Sequence, residues 1–323
     1  MDDIGLTIVG DSRADPGNRL NYDLISEIVR AAVDQCLAAT EPQSPTSESP
    51  HDLFHSPRAQ AIKEEIIRVG RKLWERGYVD GNGGNISARI SPQYVICTPT
   101  LVSKGDLHLE DMCLVDLDNC QICGKRAQTS EIRLHLEIYK AVPEAKAVIH
   151  CHPPYATAHA VADVIPQGNL VPEQEVFIGP VALAPYETPG TTAFAKTVLP
   201  WVRRHNTILL SHHGIVCWAD TVTHAEWYTE VIDTYCKTIM IARQLRPDLI
   251  EFSPDKINDL LAFKKRLGLP DARLPIEEPA APAPAKHAPP AAAPSRRALA
   301  DDEIESLVSS LTEKILRFFE KQA

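Results

Sequence analysis

The chain has 323 residues, 44% hydrophobic and 24% charged, with a formal net charge of -10. That acidity excludes nucleic acid and anionic membrane as main partners, and no run nears the roughly 18 apolar residues of a membrane span. The first residues, Met1-Asp2-Asp3-Ile4-Gly5, lack the basic and apolar regions of a signal peptide, so a cytoplasmic setting with the eight cysteines as buried thiols is expected.

Residues 1–40 form an N-terminal extension in which Leu24, Ile25, Ile28, Val29, Ala32 and Cys36 fall on one face of an amphipathic helix over 21–39. Residues 41–56 are rich in Pro, Ser and Glu and read as a flexible linker. A compact domain is expected over 57–270. It opens with a helix whose buried stripe is Ile62, Ile66, Val69, Leu73 and Trp74 and which stops at Gly77. The Gly-rich stretch from Asp80 then passes into a strand, Ile86–Ile90, so its amides and Asn85 face an anion or simply make a tight turn. Strands follow at Tyr94–Pro99 and Met112–Leu117. Cys120 and Cys123 make a single C-x-x-C, and with no second pair for a zinc knuckle they read as a hairpin turn.

Thr129 or Ser130 is expected to cap a helix running to Lys140, where Glu131 is a capping carboxylate or something more. Next, Ala147-Val148-Ile149 runs into His150-Cys151-His152-Pro153-Pro154, a buried strand opening at a surface. Alternation puts His150 and His152 on one side and Cys151 on the other, half of a zinc, iron or manganese site unless both are merely hydrogen-bonded surface histidines. A helix over Tyr155–Ala162, a strand over Val181–Pro185 and a helix from Gly190 to Arg204 come next. Strand Thr207–Leu210 also ends in histidine, at His212-His213-Gly214, and helices from Thr223 to Leu245 and on to Leu267 close the domain. A Pro/Ala-rich linker over 271–297 leads to a helix over 298–323, whose face of Ile304, Leu307, Val308, Leu311, Ile315, Phe318 and Phe319 must dock on something. Glu131, His150, His152 and His212 or His213 thus lie at element ends, and the spacing permits a three-histidine site with an open fourth position.

Gly84-Asn85-Ile86-Ser87-x-Arg89, Thr98-Pro99-Thr100, Thr129-Ser130-Glu131, His150-x-His152, Ala184-Pro185-Tyr186 and His213-Gly214 are co-linear, and over about 57–265 the chain resembles the class II aldolase/adducin family, in particular its L-fuculose-1-phosphate aldolase-like enzymes. The resemblance implies an α/β fold of the α+β type, a central mainly antiparallel sheet flanked by helices, here with tethered amphipathic helices at both ends. It implies His150, His152 and His213 as ligands of one Zn2+ per subunit, and Glu131 as acid/base and fourth ligand of the empty site. Gly84, Asn85, Thr100, Thr129 and Ser130 would hold the phosphate of a sugar substrate in a homotetramer. The expected reaction is cleavage of a deoxyketose 1-phosphate to dihydroxyacetone phosphate and lactaldehyde. Two departures matter. Leu101 stands where the family usually has Gly, and the run 167–175 lacks the aldolases' Tyr, resembling instead the acidic loop of the family's dehydratases, with Glu173 or Glu175 as a second acid or as part of an exposed turn. A dehydratase, a 4-epimerase and a non-catalytic adducin-like scaffold are the alternatives. Both terminal helices resemble encapsulation peptides, which implies binding to shell proteins and packaging in the lumen of a bacterial microcompartment.

Overall fold

The computed structural model describes residues 29–30, 49–275, 308–310 and 312–313. The chain divides into two units, Ser47–Ala281, and Met1–Thr46 with Pro282–Ala323. In the second the described residues are helical, with Val29, Val308 and Thr312 buried. The rest of the expected terminal helices lies outside the described residues.

In the first unit, Ser49 and Ser56 each accept an amide hydrogen bond ahead of a Pro, starting helices α1 (Pro50–His55) and α2 (Pro57–Glu75). Helix α1 therefore occupies part of the stretch expected as linker, anchored by buried Phe54, whose carbonyl accepts from Lys63 Nζ at 2.8 Å. Ile66, Val69 and Leu73 of α2 are buried, but Trp74 is 52% exposed. Its ring lies against Gly105 instead of the core.

Eight strands form one sheet: β1 (Asn85–Arg89), β2 (Tyr94–Cys97), β3 (Cys113–Asp116), β4 (Gln121–Cys123), β5 (Ala147–Cys151), β6 (Ala182–Ala184), β7 (Thr207–Leu210) and β8 (Gly214–Ala219). Their order is β4-β3-β2-β1-β5-β8-β7-β6, antiparallel except for the parallel pair β6 and β7. The remaining helices are α3 (Ile132–Ala141), α4 (Pro154–Val161), α5 (Pro172–Phe177), α6 (Thr192–Lys196), α7 (Val222–Leu245) and α8 (Pro254–Arg266). Cys120 and Cys123 lie in the β3–β4 hairpin, as expected.

Strand β5, flanked by β1 and β8, is buried throughout. Ala147, Ile149 and Cys151 pack into a core with residues of α2, α4 and α7, whereas Val148 faces the opposite core with residues of α3 and α6. His150 shares Val148's parity, so it points to the side where α3 begins. Besides α1, two elements were not expected: β8, a six-residue buried strand, and α5. The helix expected over 190–204 is shortened to α6, with turns continuing past Pro200, which cannot supply a helical amide. Among the described residues no helix is long and apolar enough to cross a membrane.

Candidate active site

The ends of β1, β5 and the β7–β8 hairpin converge with the start of α3. Cross-strand register sets Asn85 of β1 directly opposite His150 of β5, so the two side chains leave one face as neighbours. His152 lies just past β5, where its amide donates to the Tyr78 carbonyl at 2.8 Å. In the β7–β8 turn, His212 adopts φ 55. That left-handed residue separates the two histidines: His212 turns outward, 56% exposed and near Asp163, while His213 turns toward His150. Gly214 is required next, because a Cβ there would stand 2.6 Å from both the Cys151 carbonyl and the His152 ring.

His150, His152 and His213 each offer a ring nitrogen within 4.8 Å of the others. His150 Nδ1 donates to the Ile215 carbonyl at 2.8 Å, which leaves its Nε2 unprotonated and facing His152 Nε2 at 3.0 Å. Glu131 spans the cluster, with Oε2 3.3 Å from His150 Nε2 and Oε1 3.6 Å from His213 Nε2. Burial, then the neighbouring His152 and His213, hold the His150 pKa well below the usual imidazole range. Burial likewise lowers that of His213, against the opposing pull of Glu131. Three imidazoles massed against one carboxylate are the donor set a divalent cation requires, and the lowered pKa values of His150 and His213 favour the unprotonated nitrogens that ligation needs. The residues present therefore fit a metal ion.

Beside the histidines lies a cavity of about 190 Å³ whose wall includes Gly84, Asn85, Thr100, Thr129, Ser130 and Glu131. Two loops build it. Thr129 N donates to Thr98 O at 3.1 Å and Thr100 N to Ala127 O at 3.0 Å, which sets the three hydroxyl residues side by side. Gly84 has φ +68, and a Cβ there would meet Val79 Cγ1 at 2.5 Å. Leu101 takes a left-handed φ of 57 with its side chain 78% exposed, so the loop keeps a glycine-like path despite the larger residue.

Helix α3 is capped differently from the expectation. Glu131 is its N-cap residue but makes no side-chain cap bond, and Thr129 Oγ1 accepts only the Glu131 amide, at 3.4 Å. The carboxylate is thus free of the helix end and belongs to the cavity. Glu173 and Glu175 are a correction, since neither lines the cavity. Glu173 is exposed on α5. Glu175 is 2% exposed, accepts from Asn169 N at 2.6 Å and pairs with Arg273 at 2.8 Å. Helix α5 turns it toward α8 and the chain beyond, so it is not a second acid at the histidines.

Sequence reasoning missed three residues near the site. Asp80 Oδ1 lies 3.7 Å from His152 Nδ1. Buried Lys104 donates to the carbonyls of Asn82 and Val102 at 3.0 and 2.7 Å, bracing the Gly-rich loop. His135, four residues after Glu131 and hence on the same helix face, is fully buried against Asn85.

A mixed sheet between helices, with a three-histidine cluster beneath one carboxylate, defines a protein of the class II aldolase type. The family model described as "Class II Aldolase and Adducin N-terminal domain" matches residues 64–240. The chain belongs to that family. It is 37% identical over 174 residues to L-fuculose phosphate aldolase of Methanococcus vannielii, covering 54% of this chain and 93% of that protein. It is 31% identical over 181 residues to 3-oxo-tetronate 4-phosphate decarboxylase of Haemophilus influenzae, covering 55% and 86%. Among solved structures, YgbL of Klebsiella pneumoniae superposes with a TM-score of 0.58 at 26% identity, over 62% of this chain and 98% of that one.

Proposed function

We propose that the chain is a metal-dependent aldolase that cleaves a deoxyketose 1-phosphate of the fuculose or rhamnulose type to dihydroxyacetone phosphate and lactaldehyde. The observation that carries this reading is Glu131, whose two oxygens reach toward His150 and His213 while it walls a cavity lined by Thr100, Thr129 and Ser130. His150, His152 and His213 would hold the ion, zinc by preference for three imidazoles. When bound, it supplies Lewis-acid stabilisation of the charge left on the substrate's oxygens as the carbon–carbon bond breaks. Glu131 takes the hydroxyl proton and returns one to carbon. The hydroxyls of Thr100, Thr129 and Ser130, with the backbone at Gly84 and Asn85, fix the phosphate and so set the sugar's register. The scaffold alternative is disfavoured because the whole histidine set and Glu131 are assembled.

A second reading, a 3-oxo-acid phosphate decarboxylase, is favoured by the Haemophilus influenzae relative. Decarboxylation also leaves charge on a carbonyl oxygen after a carbon–carbon bond breaks, so the same residues serve it. The dehydratase loses its support with Glu175 held in the ion pair to Arg273. Incubation of the metal-loaded protein with fuculose 1-phosphate, rhamnulose 1-phosphate and 3-oxo-tetronate 4-phosphate separates the readings. Lactaldehyde with dihydroxyacetone phosphate marks the aldolase, and carbon dioxide the decarboxylase.

The reading includes a homotetramer with sites at subunit interfaces, in keeping with a cavity open enough to leave His152 25% and His213 16% exposed. It also includes microcompartment packaging through the segment 298–323, supported by the apolar periodicity of its sequence alone. A reporter fused to residues 295–323 should collect in intact shells, and a diffuse reporter would refute packaging.

A further inference from the structure

Behind Glu131 runs a line of buried polar groups that the chemistry above does not use. Tyr139 Oη lies 2.9 Å from Ser87 Oγ, and Ser87 Oγ lies 2.7 Å from His135 Nδ1. His135 Nε2 lies 2.6 Å from Asn85 Oδ1, and Asn85 Nδ2 donates to Glu131 Oε2 at 2.8 Å. Asn85, Ser87, His135 and Tyr139 are all 3% exposed or less, which excludes solvent as an alternative partner.

The proton positions follow from elimination. A carboxylate only accepts, so the Asn85 amide must turn its NH2 toward Glu131 and its oxygen toward His135. His135 must then donate from Nε2. Burial lowers the His135 pKa to about 3, and neighbouring His150 lowers it further, against the opposing pull of Glu131. The ring is therefore neutral, and a neutral imidazole with a proton on Nε2 accepts at Nδ1. Ser87 gives its proton to that nitrogen, and its oxygen receives the one from Tyr139. Every donor points the same way, toward the carboxylate.

We infer that Tyr139, Ser87, His135 and Asn85 form a one-way hydrogen-bond chain that locks the Asn85 amide with its NH2 on Glu131, holding Oε2 in place over the histidines. His135 is a positioning residue, since it touches neither the substrate cavity nor the ion's ligands. The spacing explains how the chain arises. Asn85 and Ser87 are alternate residues of β1, and Glu131, His135 and Tyr139 recur every four residues along α3, so strand and helix periods bring one polar row against another. Without His135 the amide can rotate, and its oxygen would then face the carboxylate and repel it.

This inference rests on Glu131 acting as the proton carrier, but the proton positions do not. Nitrogen-15 shifts of His135 in the folded protein should show Nε2 protonated and Nδ1 bare from about pH 5 to about pH 9. A proton on Nδ1 would overturn the chain whatever the enzyme's activity. For the positioning role, His135→Gln keeps a donor where Nε2 stood and His135→Leu does not. With both variants folded and loaded with metal, His135→Leu should lower kcat about 10- to 100-fold at unchanged KM, and His135→Gln should restore most of it. Equal kcat in wild type and His135→Leu, or equal losses in both variants, would refute the positioning role.

Discussion

Asn85 and His150 face each other across β1 and β5, and this one pair of the sheet's register joins the Gly-rich loop to the three-histidine cluster. Because Asn85 also donates to Glu131 at 2.8 Å, the carboxylate is held against His150, the residue across the sheet from its own donor. A slip of one residue between the strands would send Asn85 to the opposite core.

Glu175 is a structural carboxylate. Glu175→Gln should remove its ion pair with Arg273 and destabilise the fold by about 1.5 kcal/mol, the low end for a charged hydrogen bond, since Arg273 keeps its bonds to Asp271. The kcat should stay near wild type. Denaturant unfolding and steady-state kinetics check both halves.

Leu101→Gly should relieve a left-handed backbone and stabilise the protein by about 1 kcal/mol, less whatever the glycine adds to unfolded-chain entropy. The substrate KM should change less than twofold, since the Leu101 side chain is 78% exposed. A loss of stability would show that the φ of 57 is not strained.

Lys104 carries a signature in pH. Burial lowers its pKa from 10.5 to about 8, against a smaller pull from Glu131. Between those values the folded state binds fewer protons than the unfolded state, so stability due to this group rises with pH across that window. Wild type should therefore gain stability relative to Lys104→Met between about pH 8 and pH 10.5, which parallel urea titrations would measure. A constant difference would contradict the assignment.

The histidine set should bind about one divalent ion per chain. Ala at His150, His152 or His213 should each abolish stoichiometric metal, whereas His212→Ala should not, because His212 turns away beside Asp163. Chelation should lower the thermal midpoint of wild type, since an ion at a thousandfold its Kd stabilises the folded state by about 4 kcal/mol. Metal analysis and calorimetry on the same samples test this.

The paired histidines were legible because strand alternation is a local rule, and Ala147-Val148-Ile149 announces the strand. The choice between His212 and His213 was not readable from the residues alone, since it turns on one left-handed residue in the β7–β8 turn. Strand β8 escaped notice because Ile215-Val216-Cys217-Trp218 is buried on both faces and so lacks alternation. The partners of Glu131 were hidden for another reason. They depend on which residue of β1 lies across from β5, a register no single segment encodes. Glu175 misled because an acidic run beside the site looks the same whether it faces the cavity or, as here, Arg273.

The most direct test of the account is product formation by metal-loaded wild type and Glu131→Gln from the ketose 1-phosphates and from 3-oxo-tetronate 4-phosphate. Wild type should break a carbon–carbon bond in one of them, and Glu131→Gln should keep its metal while kcat falls about 100- to 10,000-fold. Undiminished turnover in Glu131→Gln, or cleavage by protein stripped of metal, would contradict it.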